Sequence, residues 1–120
     1  AKGLTAARVT PDDIEANIVS EHYFTGANGV IGAYTGHAVE GVEIYRQDHE
    51  VSVSIEALSL LTFCVLVLRN GFTVTGESAC ASPENFDAEI GRKIARQNAV
   101  AKIWPLLGYA LKERLAEKSS

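Results

Sequence analysis

Residues 61–79 read LTFCVLVLRNGFTVTGESA, and the way this stretch turns back on itself decides the fold. Arg69-Asn70-Gly71-Phe72 separates two runs rich in β-branched and aromatic residues. Asn-Gly supports the positive φ angles of a type I′ turn, so the stretch predicts a β-hairpin with arms of about Leu61–Arg69 and Phe72–Ser78. A two-residue loop sets Val67 opposite Val74 and Leu66 opposite Thr75. One face then carries Phe63, Val65, Val67, Phe72 and Val74, the expected core. The other carries Cys64, Leu66, Leu68, Thr73, Thr75 and Glu77. It is half apolar, more than a solvated face requires, and needs a cover: a helix of the same chain or another subunit. Cys64 and Cys80 fall on opposite faces if the strand runs on to Cys80, which argues against a disulfide.

Beyond the hairpin, Ser82 is a good helix cap and Pro83 a good first helical residue. Phe86, Ile90, Ile94 and Ala101 recur at helical spacing, with Asn85, Glu89, Arg92 and Arg96 as a polar stripe beside them. Pro105 is expected to break or kink this helix after Trp104. Leu107, Leu111 and Leu115 then mark a terminal helix. Before the hairpin, Thr10, Pro11, Asp12 and Asp13 carry the signals of a helix start, with Val9 and Ile14 spaced as a hydrophobic staple. That helix is expected to run from Pro11 to Glu21 or Tyr23, after a loose tail at residues 1–9. The glycines at 26, 29, 32, 36 and 41 argue for turns. Val39–Tyr45 alternates weakly, and Val51, Val53 and Ile55 alternate with Ser52 and Ser54 as in a strand. The expected fold is α+β: a small antiparallel β-sheet packed against an N-terminal helix and two C-terminal helices.

The chain has 120 residues, a single-domain length. Lys+Arg number 11 against Asp+Glu 15, a formal charge of −4, which suits non-specific DNA binding poorly. The start lacks an apolar signal-peptide core, and the longest apolar run, Leu60–Leu68, is about half what a membrane helix needs. Two separated cysteines cannot form a four-cysteine zinc site, and the expected compartment is a reducing cytoplasm.

Asn70 to Asp87, then Glu89-Ile90-Gly91-Arg92-Lys93-Ile94-Ala95, Asn98-Ala99, Lys102-Ile103-Trp104 and Gly108-Tyr109 resemble a family of small tailed-phage proteins, first noted in N-four-like and Sf-six-like phages and called the Gp forty-nine family. Asp13-Ile14-Glu15 and Tyr23-Phe24-Thr25 fit the same pattern. Residues 30–56 match nothing in it and read as a subfamily insertion. The resemblance implies a phage accessory protein acting in the host bacterial cytoplasm. It further suggests kinship with counter-defence sponges, oligomers that sequester a nucleotide second messenger of bacterial immunity such as CBASS. It assigns no ligand residues.

No catalytic constellation is legible. His22, His37 and His49 lack metal spacing and read as surface residues, and no nucleophile elbow, Walker loop or dinucleotide fingerprint occurs. Cys80 lies before a helix start, where a thiolate is favoured, but with no base nearby in the sequence a packed small residue is the favoured reading. No metal or cofactor is expected. The small-residue junction from Gly76 to Pro83 could present free backbone N–H groups to an anion. Ser78, Ser82 and Asn85 are candidates to touch phosphate or ribose there, with Arg92 and Arg96 adding charge. The plainer alternative is that Ser82 caps and the small residues pack. Trp104 and Tyr109 are candidates to stack bases or form an interface, and Tyr34 and His37 could form a lid. The expected function is non-catalytic capture of a small anionic nucleotide by a dimer or tetramer. The alternative is a module that binds a host protein.

Overall fold

Thr10 caps the first helix as its sequence requires. Its hydroxyl accepts the Asp13 N–H at 3.2 Å, and the Asp13 carboxylate accepts the Thr10 N–H at 2.9 Å. The computed structural model describes residues 6–35 and 49–119. This helix, α1, is Pro11–Ala16, and Ile14 is its buried residue. It stops short of the expected Glu21. Asn17 gives its carbonyl to the Arg69 N–H at 3.0 Å and so turns the chain into the sheet. Ile18–Thr25 is strand β1. Pairing with a neighbouring strand outweighs the local helical reading there.

The remaining elements are α2 (Gly26–Thr35), α3 (His49–Leu58), β2 (Leu61–Leu68), β3 (Thr73–Ala79), a 3₁₀ turn at Pro83–Asn85, and α4 (Ala88–Ser119). Two expectations in the middle are overturned. Gly26, Gly29 and Gly32 lie in a helix, started by reciprocal Thr25–Asn28 caps at 2.9 and 3.0 Å. Val51, Val53 and Ile55 belong to helix α3, not to a strand. The suggested strand at Val39–Tyr45 and the suggested lid residue His37 lie outside the described residues.

The sheet is antiparallel with order β1-β2-β3. The hairpin is present, but its turn is one residue longer than expected. Gly71 N–H donates to the Leu68 carbonyl and Leu68 N–H to the Phe72 carbonyl, each at 2.8 Å. Gly71 has a φ of 89°. This is a type I turn closed by a left-handed glycine, the three-residue loop of a G1 bulge. The extra residue moves the register by one, so Leu66 faces Val74 and Val67 faces Thr73.

That shift exchanges the roles of the two faces. Thr62, Cys64, Leu66, Leu68 and Val74 are buried. Phe63, Val65 and Val67 are half-buried, and Phe72 is 56% exposed. The cover expected for the Cys64 face is supplied by α4. On the Phe63 face Phe24 stacks on Phe63 at 5.4 Å, and α2 comes against the Phe24 ring at Gly29. Both cysteines are free. Cys80 aligns beside Leu60 on the Cys64 side, not the opposite one, but four residues further along, about 13 Å away.

Helix α4 packs through Gly91, Ala95, Ala99 and Ile103, spaced four apart. Ile90 and Ile94, expected to face the core, are 54% and 41% exposed. Small residues win that face because Gly76 lies directly beneath. A Cβ built on Gly76 would overlap the Ala95 carbonyl and the Ala99 N–H and come within 2.9 Å of the Ala99 Cα. Pro105 does not divide the helix, which runs through to Ser119 as one element where two were expected. Pro105 and Ala101 are both exposed, so water can satisfy the carbonyl that the proline leaves free.

Candidate functional site

The segment after β3 prepares the mouth of two clefts. Ser82 does not cap α4; its hydroxyl donates to Glu84 at 2.6 Å, beside the 3₁₀ turn. The cap of α4 is Asp87, whose carboxylate accepts the Glu89 and Ile90 N–H groups at 3.0 and 3.2 Å. The helix start is therefore already supplied with an anion of its own, and Glu84 and Asp87 make the Ser82 region acidic. Around Ser82 the structure thus places two carboxylates, Glu84 and Asp87.

Positive charge is found one turn further on. Arg92 makes no ion pair or hydrogen bond among the described residues. It borders a cleft of about 140 Å³ whose walls include Tyr23 and Phe86 and whose rim includes Thr25 and Asn28. No carboxylate lines this cleft. Thr25 and Asn28 bring the start of α2, with its positive dipole end, to the same place. Phe24 reaches the cleft too, although its ring is committed to Phe63 on the other side of the sheet.

Thr62 forms the floor. It is 4% exposed and its hydroxyl has no hydrogen-bond partner among the described residues. A buried hydroxyl without a partner costs about 1–3 kcal/mol. The helix comes close here because residue 91 is glycine: a Cβ on Gly91 would lie 3.0 Å from Thr62 Oγ1.

A second cavity, about 170 Å³, lies on the other side of Phe86. Ser78, Asn85 and Cys80 line it, and it shares Thr62 and Phe86 with the first. It also contains Asp87, which disfavours an anion. The structure thus brings Ser78 and Asn85 together and sets Arg92 next door. Sequence reading missed Thr62, Tyr23 and Phe86 as site residues; only tertiary contact places them.

Arg96 is spent elsewhere. Its guanidinium bonds Glu15 at 2.7 and 3.1 Å and Glu21 with two contacts of 3.0 Å. Hydrogen bonding to Arg96 holds both carboxyls below the ordinary glutamate value and raises the Arg96 pKa. This triad ties α1 and β1 to α4. Burial, then the hydrogen bond to Glu21, pushes the Tyr23 hydroxyl up, and burial raises the Cys64 thiol. Both remain protonated at neutral pH. Trp104 and Tyr109 are 40% and 69% exposed. They stand 12 and 17 residues along α4 from Arg92, about 18 and 25 Å away. His22 bonds Ser20 at 3.1 Å. Among the described residues no cluster could hold a metal ion, and no helix is long and apolar enough to cross a membrane.

No curated protein and no solved structure matches the chain. A family model does match, over residues 9–115, the segment that holds the sheet, the Arg92 cleft and all but the last few residues of α4. On that match the chain belongs to the phage protein (N4 Gp49/phage Sf6 gene 66) family.

Proposed function

We propose that this phage protein is a non-catalytic binder of a small anionic nucleotide, and that the Arg92 cleft is where it binds. One observation carries the reading. Arg92, without an ion pair among the described residues, lines one cleft together with the buried Thr62, whose hydroxyl has no partner among them, and with Tyr23 and Phe86, and no carboxylate lines that cleft. A phosphate on Arg92 and a base ring between Tyr23 and Phe86 use each of these groups. Base–aromatic stacking contributes about 1–3 kcal/mol and a charge-assisted hydrogen bond about 1.5–3 kcal/mol. The phage family and the resemblance to counter-defence sponges give such capture a purpose: withholding a cyclic-dinucleotide-like messenger from a host immune effector of the CBASS kind. The half-buried Phe63, Val65 and Val67 face supports assembly into a dimer or tetramer.

Calorimetric titration of the protein with cyclic dinucleotides and mononucleotides tests the reading. Saturable binding that disappears in Arg92→Ala and persists in Arg69→Ala supports it. The absence of binding by any nucleotide at 100 μM protein rejects it. A stoichiometric host protein recovered on the Phe63 face, with no nucleotide bound, would favour the alternative of a host-binding module.

A further inference from the structure

We infer that the C-terminal part of α4 is a self-association seam, which pairs antiparallel with the same segment of a second copy of this chain. The inference is independent of the nucleotide reading and concerns another part of the molecule. Helix α4 has 32 residues, a length of about 48 Å. Its buried residues end at Ile103, and Leu107 is the last of its hydrophobic residues packed against the core. Residues 108–119 therefore extend about 18 Å past the core. Apolar character does not stop there. Trp104, Gly108, Leu111 and Leu115 follow at intervals of four, three and four residues. On a helix these positions fall within about 60° of arc. The stripe lies about a quarter turn from Ile103, so the sheet that covers Ile103 does not cover it. Trp104 and Leu115 are exposed, and a Cβ on Gly108 would meet nothing within 4 Å. The charged residues Lys112, Glu113, Arg114, Glu117 and Lys118 lie outside the stripe.

The spacing points to the occupant. Four, three, four reads the same in both directions, as an antiparallel pair of identical helices requires. With the two-fold axis between Tyr109 and Ala110, Trp104 comes level with Leu115 of the second copy, and Gly108 with its Leu111. Leu111 then fills the open space over Gly108, so the helices close up without leaving a void. In the same register Lys112, Arg114 and Lys118 come level with Leu107, Pro105 and Ala101 of the second copy, and no two like charges meet. A helix pair in contact over residues 104–119, about 24 Å, buries on the order of 1,000 Å² across both copies. That is the size of a weak, reversible interface, and a dimer in the micromolar range is expected. Arg92 lies about 26 Å along α4 from this axis, so the seam and the cleft are separate.

Trp104 is the one tryptophan of the chain, so its emission reports the seam directly. Sedimentation velocity and Trp104 fluorescence, both recorded between about 1 and 200 μM protein, test the inference. Wild type is expected to pass from monomer to dimer over that range, with its emission shifting to the blue in step as Trp104 is covered. Leu111→Glu places a charge in the seam, and Gly108→Leu fills the gap that Leu111 of the second copy needs. Each is expected to raise the dissociation constant at least tenfold and to suppress the blue shift. The Tm of Gly108→Leu at 1 μM shows that the monomer still folds; it should rise, because a good helix former replaces a glycine in open space. A protein that stays monomeric at 200 μM overturns the inference. So does a dimer that Gly108→Leu leaves intact and whose Trp104 emission does not change on dilution, since assembly then uses another surface, such as the Phe63 face.

Discussion

Gly76→Ala is expected to destabilise the protein sharply although it adds only one methyl group. The new Cβ would sit against the Ala95 carbonyl and the Ala99 N–H, both backbone atoms of α4. No rotamer change relieves such a contact. The helix must lift from the sheet, loosening Ala95, Ala99 and Ile103, all fully buried. Overpacking of this kind costs about 1–3 kcal/mol, and a backbone-on-backbone clash belongs at the upper end. Alanine recovers about 0.5–1 kcal/mol of strand propensity, leaving a net loss of about 2 kcal/mol. Unfolding entropy near 2.1 cal/mol/K per residue gives about 0.25 kcal/mol/K for 120 residues. The Tm should therefore fall by about 8 °C. Thermal unfolding followed by circular dichroism measures this, with Gly108→Ala as the opposing control. A Cβ on Gly108 meets nothing within 4 Å, and the residue lies inside α4. That change should raise Tm by about 2–4 °C. A Gly76→Ala protein melting within 2 °C of wild type would refute the close seating of α4 on β3.

Other expectations follow from the same contacts. Glu15 and Glu21 are held below their ordinary pKa of 4.5 in the folded protein. Their contribution is complete above about pH 4.5 and is lost as pH falls from there through the folded values. Urea midpoints measured between pH 7 and pH 3 should show that loss, and Arg96→Met should flatten it while costing about 1 kcal/mol at pH 7, since the carboxylates are largely solvated. A thiol reagent should modify the half-buried Cys80 of the native protein quickly and Cys64 only at the rate of unfolding; two fast thiols would contradict the burial of Cys64. Gly71→Val is expected to cost about 1–2 kcal/mol, read as a lower Tm, because valine resists a positive φ.

Much of the architecture is written locally. Thr10 and Asp13 announce α1, and Asn70-Gly71 announces the hairpin. What the dipeptide does not specify is loop length, and one residue decides which side of β2 faces inward. The pattern LTFCVLVL is apolar at nearly every position, so it gave no independent vote on the face. The helix face was misread for a related reason. Hydrophobicity favours Ile90 and Ile94, but proximity to Gly76 requires the small residues Gly91, Ala95 and Ala99. A spaced run of small residues opposite a strand glycine was the available signal. β1 escaped notice because its strand character depends on β2 as partner. Of the site, the sequence offers Arg92 and Arg96 alike as phosphate contacts, and only tertiary contact shows that Arg96 is paired with Glu15 and Glu21. Thr62 was not legible, since a threonine in an apolar strand is ordinary until its hydroxyl is found without a partner.

The most direct test of the binding site is residue-resolved. Amide and side-chain NMR spectra of isotopically labelled protein, recorded as mononucleotides or cyclic dinucleotides are added, should show saturable shifts at Arg92, Thr62, Phe86, Tyr23 and Asn28, with little change at Ser82, Trp104 or Tyr109. Saturable shifts centred on Ser82 and Glu84, or on the distal half of α4, with the Arg92 cleft unmoved, would contradict it.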